Sequence, residues 1–144
     1  MTRTELAHVV RAICSVLGIQ EIWVVGSQSI LATFSEQQLP VALTVSIEAD
    51  VFVLDWSQRD EDQIEATLGE VSKFAETHGY FADPVSKKTV HAPAGWESRV
   101  VPFYNDLTKD APHGIWKCTI LQFQNWQRDE RRIGPMSVSW LKAS

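Results

Sequence analysis

An apolar run, Ile22-Trp23-Val24-Val25, ends abruptly on Gly26-Ser27, and a second apolar stretch then reaches Phe34. A β-strand loses favour at Gly-Ser, because glycine adds no side chain to pack and serine competes for backbone hydrogen bonds. The pattern therefore predicts a short buried strand, a tight turn and a helix through Ile30, Leu31 and Phe34, with Ser27 or Ser29 as its cap. A chain that places glycine there lets the backbone come close to a ligand, and Ser27 offers it both an N–H and a hydroxyl.

The flanking segments extend this unit into an α/β pattern. Upstream, Leu6, Val9, Val10, Ile13 and Leu17 recur at steps of three and four, Thr2 and Glu5 stand at capping-box spacing, and Gly18 is a stop signal. That is a helix with one buried face, and Cys14 falls in its core. Downstream, residues 46–55 (SIEADVFVLD) are rich in β-branched and aromatic residues and predict a second strand. Glu48 and Asp50 lie two apart on it, so both side chains leave the same face, while Ile47, Val51 and Val53 predict that the opposite face is buried. Adjacent carboxylates repel, and one pKa rises unless a cation lies between them. A divalent metal with oxygen ligands is one reason for such a pair; an edge strand whose acids face water is the other.

Further along, Ile64, Leu68 and Val71 mark one face of a helix, with Asp60, Glu61 and Asp62 near its N-terminus, where the helix dipole favours them. Residues 79–81 and 89–91 suit a hairpin around DPVSKK, and Pro93-Ala94-Gly95 a turn before a strand in WESRVVPFY. The whole is expected to be one α/β domain, a mixed sheet with helices on at least one face.

Composition removes several classes of function. A chain of 144 residues, 44% apolar, builds one core, and a net charge of −5 gives no basic footprint for nucleic acid. No run approaches about 18 apolar residues, so the expectation is a cytoplasmic protein with no membrane partner. Cys14 and Cys118 lack metal-ligand spacing and are too few for a secreted disulfide framework. His8, His78, His91 and His113 share no zinc-like spacing, and neither a P-loop nor a dinucleotide fingerprint is present.

A helix, a strand into Gly26-Ser27, a helix, and a strand carrying Glu48-Ala49-Asp50 resembles the core of the DNA polymerase β-type nucleotidyltransferase superfamily. More narrowly, VVGSQSIL, SIEADVFV, HGYFADPV and APAGWESRVVPF are similar to an uncharacterised bacterial branch of it, itself distantly similar to the toxin component of type IV (abortive-infection) toxin–antitoxin systems. The resemblance covers residues 1–110 and implies a nucleotidyltransferase-like fold. It implies that Gly26 and Ser27 bind the phosphates of an NTP, and that Glu48 and Asp50 hold Mg²⁺ and are catalytic. The reaction implied is transfer of a nucleotidyl group to an RNA or protein hydroxyl, with an antitoxin as a further partner.

Three departures from the family pattern keep other readings open. Twenty residues lie between Ser27 and Glu48, longer than is usual in the superfamily. The superfamily's third carboxylate, expected on a later neighbouring strand, is missing from Arg99 to Phe103; Glu97 and Asp106 lie only at the ends of that segment, and Asp55 has the wrong parity to join Glu48 and Asp50. Residues 111–144 form an atypical tail with three of the six tryptophans and no clear period. Back-translated and read from the third base of each codon, the tail allows WYLEVHDLAISKLATGREKDW, which follows the family's LE-x-HDLA-x-SKL-x-x-GREKD in order. The forced positions agree: Trp116-Lys117 gives Glu, Asn125-Trp126 gives Leu and Trp126-Gln127 gives Ala. The tail is therefore expected to be out of frame relative to the family, with the shift at 109–113. An inactive nucleotide-binding or interaction domain and a truncated, non-functional gene product are the alternatives to an active enzyme.

Overall fold

The computed structural model describes residues 1–53, 55–86, 100–103 and 117–121, the last two segments as backbone strands. Helix α1 (Arg3–Leu17) starts at Thr2, whose side chain accepts from the Glu5 N–H while the Glu5 carboxylate accepts from the Thr2 N–H. It stops at Gly18, which takes a φ of 66° that other residues adopt only at a cost. Strand β1 (Glu21–Val25) runs into a 3₁₀ helix, Ser27–Ala32. A 3₁₀ turn at Glu36–Gln38 and the short helix α2 (Val41–Thr44) fill much of the 20-residue interval before β2 (Glu48–Phe52). Helices α3 (Gln58–Leu68) and α4 (Lys73–His78) precede β3 (Phe81–Pro84), and β4 (Val100–Phe103) and β5 (Lys117–Leu121) complete the described elements.

The strands form one mixed sheet in the order β3-β2-β1-β5-β4. Strand β1 is antiparallel to β2 and parallel to β5, β3 is parallel to β2, and β4 is antiparallel to β5. Segment 117–121, which carries no sequence period, thus supplies the strand between β1 and β4.

Strand alternation divides the side chains between two faces. Ile22, Val24, Ala49, Val51 and Ala82 meet Leu6, Val9, Val10, Ile13 and Cys14 of α1, together with Ile64 and Leu68 of α3, in the main core. Each large side chain fully removed from water there contributes roughly 1.5–3 kcal/mol. Trp23, Val25 and Phe52 form a smaller cluster, with Trp56 and Val85 packed against it; the Trp23 and Phe52 rings stack at 6.0 Å between centroids.

Several expectations differ in detail. The strand expected over 46–55 is shorter, and Ile47, expected on the buried face, is 52% exposed because it precedes the strand. Val71 is 91% exposed because α3 ends at Leu68, before Val71 can extend its buried face. The apolar stretch after Gly26 winds as a 3₁₀ rather than an α-helix, and Ser29 donates its hydroxyl to the Gly26 carbonyl at 2.6 Å instead of capping. Strand β3 pairs with β2; the other arm expected for its hairpin, 89–91, lies outside the described residues.

Candidate functional site

Three register pairs build the site. Val25 at the end of β1 lies opposite Asp50 of β2, so Asp50 shares the face of Trp23, Val25 and Phe52. On the other side, Asp50 is level with Asp83 of the parallel strand β3, and Glu48 is level with Phe81. The chain then turns at Gly26 directly over Asp50. A Cβ on Gly26 would run into Asp50 Oδ2 and lie 3.3 Å from Asp50 Cγ, and Gly26 holds φ 72°, ψ −156°, a conformation essentially confined to glycine. This turn and this carboxylate have been fitted to each other.

Asp50 is half-buried, and its pKa is pushed up to about 7. Burial is the largest cause, followed by repulsion from Asp83 and then Glu48, with a hydrogen bond to the Asp83 side chain adding to it. Asp50 therefore keeps its proton toward neutral pH, where its carboxyl can donate to the Asp83 side chain. Glu48, on the same face, is exposed at the strand's start. Ser27 is half-buried, and its Oγ accepts from Gln28 Nε2 at 3.5 Å. Gln28 itself is 1% exposed and its Oε1 has no hydrogen-bond partner among the described residues, an arrangement that costs about 1–3 kcal/mol.

Of the residues the sequence singled out, Gly26 and Asp50 are brought together, Ser27 follows in the same turn, and Glu48 stands at the edge. Asp83 is not singled out by the sequence. Its signal is the alternation Phe81-Ala82-Asp83, which gives Asp83 the strand parity of Asp50 once β3 lies beside β2; Asp83-Pro84 instead suits the turn of the expected hairpin. A carboxylate on a neighbouring strand is thus present, at Asp83 and not in Arg99–Phe103. Gln28 had no signal beyond its place after Ser27.

The donor set is entirely oxygen, which suits a hard divalent cation. Among the described residues no group of three or more His, Cys, Asp or Glu side chains is gathered to hold a metal ion. The Asp50–Asp83 pair nevertheless fits Mg²⁺, which is usually held by one or two carboxylates with water and phosphate oxygens as its other ligands. The raised pKa of Asp50 marks where positive charge is needed. Among the described residues no helix is long and apolar enough to cross a membrane.

Comparison with protein-family models, with curated proteins and with solved structures finds no match to this chain.

Proposed function

We propose that the protein is a nucleotidyltransferase-like domain that binds a Mg-NTP at Asp50, Asp83 and the Gly26-Ser27 turn, and transfers the nucleotidyl group to an RNA or protein hydroxyl. The observation that carries this reading is the carboxyl pair on adjacent strands with a glycine turn fitted over it. Mg²⁺, when bound, would neutralise the triphosphate and polarise the α-phosphorus. Asp50 and Asp83 would hold it once Asp50 gives up its proton, so binding is tied to proton release. Gly26, having no side chain, leaves the mouth of the pair open to a phosphate, and Ser27 offers its N–H and hydroxyl beside it. Glu48 is exposed two residues away, where it can join the ligands or accept the proton of the incoming hydroxyl. In the reaction the hydroxyl oxygen bonds to the α-phosphorus, the bond to pyrophosphate breaks, and the hydroxyl proton passes to a carboxylate or water.

Incubation with each α-labelled Mg-NTP and total RNA or protein, followed by electrophoresis, tests this. Label transfer that disappears in Asp50→Ala and Asp83→Ala supports it; undiminished transfer in either variant contradicts it. A second reading, a nucleotide-binding domain without turnover, is favoured by the position of Glu48 outside the pair, and it would show Mg-NTP binding with no labelled product. A toxin role with a cognate antitoxin rests on the family resemblance alone, and growth arrest on expression, lost in Asp50→Ala, is its test.

A further inference from the structure

Helix α4 has six residues and none of them is buried. Its hold on the domain includes a cluster of four rings. Phe74 and His78, one turn apart on α4, meet His8 of α1 at 5.1 and 4.7 Å between centroids, and each other at 4.7 Å. Tyr80, the residue before β3, lies 5.8 Å from both Phe74 and His78, and its hydroxyl is 2.6 Å from His8 Nδ1.

The charges around this cluster decide what a proton does there. From α1, Arg11 acts on His8, and both Glu5 and Arg11 act on Tyr80; from α4, His78 acts on His8. The other charged pair on α4, Lys73 and Glu76, is exposed and closed on itself at 2.8 Å. His78 is exposed in the last turn of α4, beside the Phe74 ring, and its charge together with that of Arg11 opposes a proton on His8. His8 is half-buried, so burial opposes its proton first, and His78 and Arg11 oppose it further. The bond to Tyr80 survives, because protonated Nδ1 can donate to the hydroxyl oxygen whichever group donates beforehand. What is opposed is the packing of one charged ring on another, and the ring free to leave is the one on α4.

We propose that His8 and His78 form a latch that holds α4 on α1 while His8 is neutral, and releases α4 when His8 takes up a proton. The latch stands three residues from Asp83 in sequence, through Tyr80, but does not depend on what that site binds. Its titration acts between the ordinary histidine range and a lower pH, since burial and the neighbouring cations lower the His8 pKa.

Hydrogen exchange of the full chain at pH 7.5 and 5.5, scaled for the intrinsic pH dependence of exchange, tests it. The readouts are the Glu76 and Gly79 amides, which bond to the Ser72 and Ala75 carbonyls, against Ile13 in α1 as reference. Protection at Glu76 and Gly79 is expected to fall at the lower pH, by up to about tenfold for each unit by which folding lowers the His8 pKa, with Ile13 unchanged. His78→Gln, an exposed change that leaves the core intact, and His8→Gln are both expected to abolish the pH dependence. An equal loss of protection in these variants, no loss in the parent protein, or a parallel loss at Ile13 would each overturn the latch.

Discussion

Replacing Gly26 by alanine tests how closely the turn is fitted to the carboxyl pair. At φ 72°, ψ −156° the backbone alone imposes on alanine a cost of about 1–3 kcal/mol. The new methyl then runs into Asp50 Oδ2, so the carboxyl must rotate off its preferred rotamer and lose its hydrogen bond to Asp83, which adds about 1 kcal/mol. The expected total is about 2–4 kcal/mol, a large share of the roughly 5–15 kcal/mol available to a domain of this kind. Gly18 is the internal control. It also has positive φ, 66°, but nothing among the described residues lies within 4 Å of an added Cβ, so Gly18→Ala is expected to cost about 1 kcal/mol. Urea unfolding gives both values. In an Asp50→Ala background the steric part disappears and the backbone part stays, so the double-mutant cycle should return a coupling of about 1 kcal/mol. The reasoning fails if Gly26→Ala costs no more than Gly18→Ala, or if its cost is the same with and without Asp50.

Asp50→Asn mimics the protonated acid. Because folding raises the Asp50 pKa, the stability it contributes is fully present below the unfolded value near 4 and is lost as pH rises through about 7. The variant should therefore be more stable than the parent at pH 8, by about 1–2 kcal/mol once solvent screening of a half-buried group is allowed for, and no more stable at pH 4. Thermal melts at the two pH values check this; a variant less stable at pH 8 would reverse the sign of the argument. Ser57 caps α3 in both directions with Asp60, accepting from its N–H while the Asp60 carboxylate accepts from the Ser57 N–H, so Ser57→Ala should cost about 1 kcal/mol in urea unfolding. Ile64, fully buried where α3 meets α1, should cost about 2–5 kcal/mol as alanine, and a smaller loss than at Ser57 would misplace the core. Sequencing the DNA that encodes 109–144 is expected to show the third-base frame open through the family motif; a stop codon in that frame removes the frameshift proposal.

Much of the architecture was legible because it is local. The capping box at Thr2 and Glu5, the stop at Gly18, the apolar tetrad and the helical step from Ile64 to Leu68 each express a short-range rule, and the structure contains all four. The site was half legible for the same reason. Glu48 and Asp50 share a face by strand parity alone, but Asp83 joins them only through the parallel pairing of β3 with β2, a contact between segments more than 30 residues apart. No periodicity reports such a pairing. Nor could spacing show that Gly26 is aimed at Asp50, because that depends on the antiparallel register of Val25 with Asp50. The ring cluster was missed in the same way: His8, Phe74, His78 and Tyr80 come together only when α4 lies against α1.

The most direct test of the central claim, that Asp50 and Asp83 form a metal–nucleotide site, is calorimetric titration of the protein with each of the four Mg-NTPs at pH 6.5 in two buffers of different ionisation enthalpy. The account expects binding that requires Mg²⁺ and releases up to about one proton, as the Asp50 proton is displaced, with both features lost in Asp83→Asn. Binding of the same strength in Asp83→Asn, or binding without proton release, would contradict it.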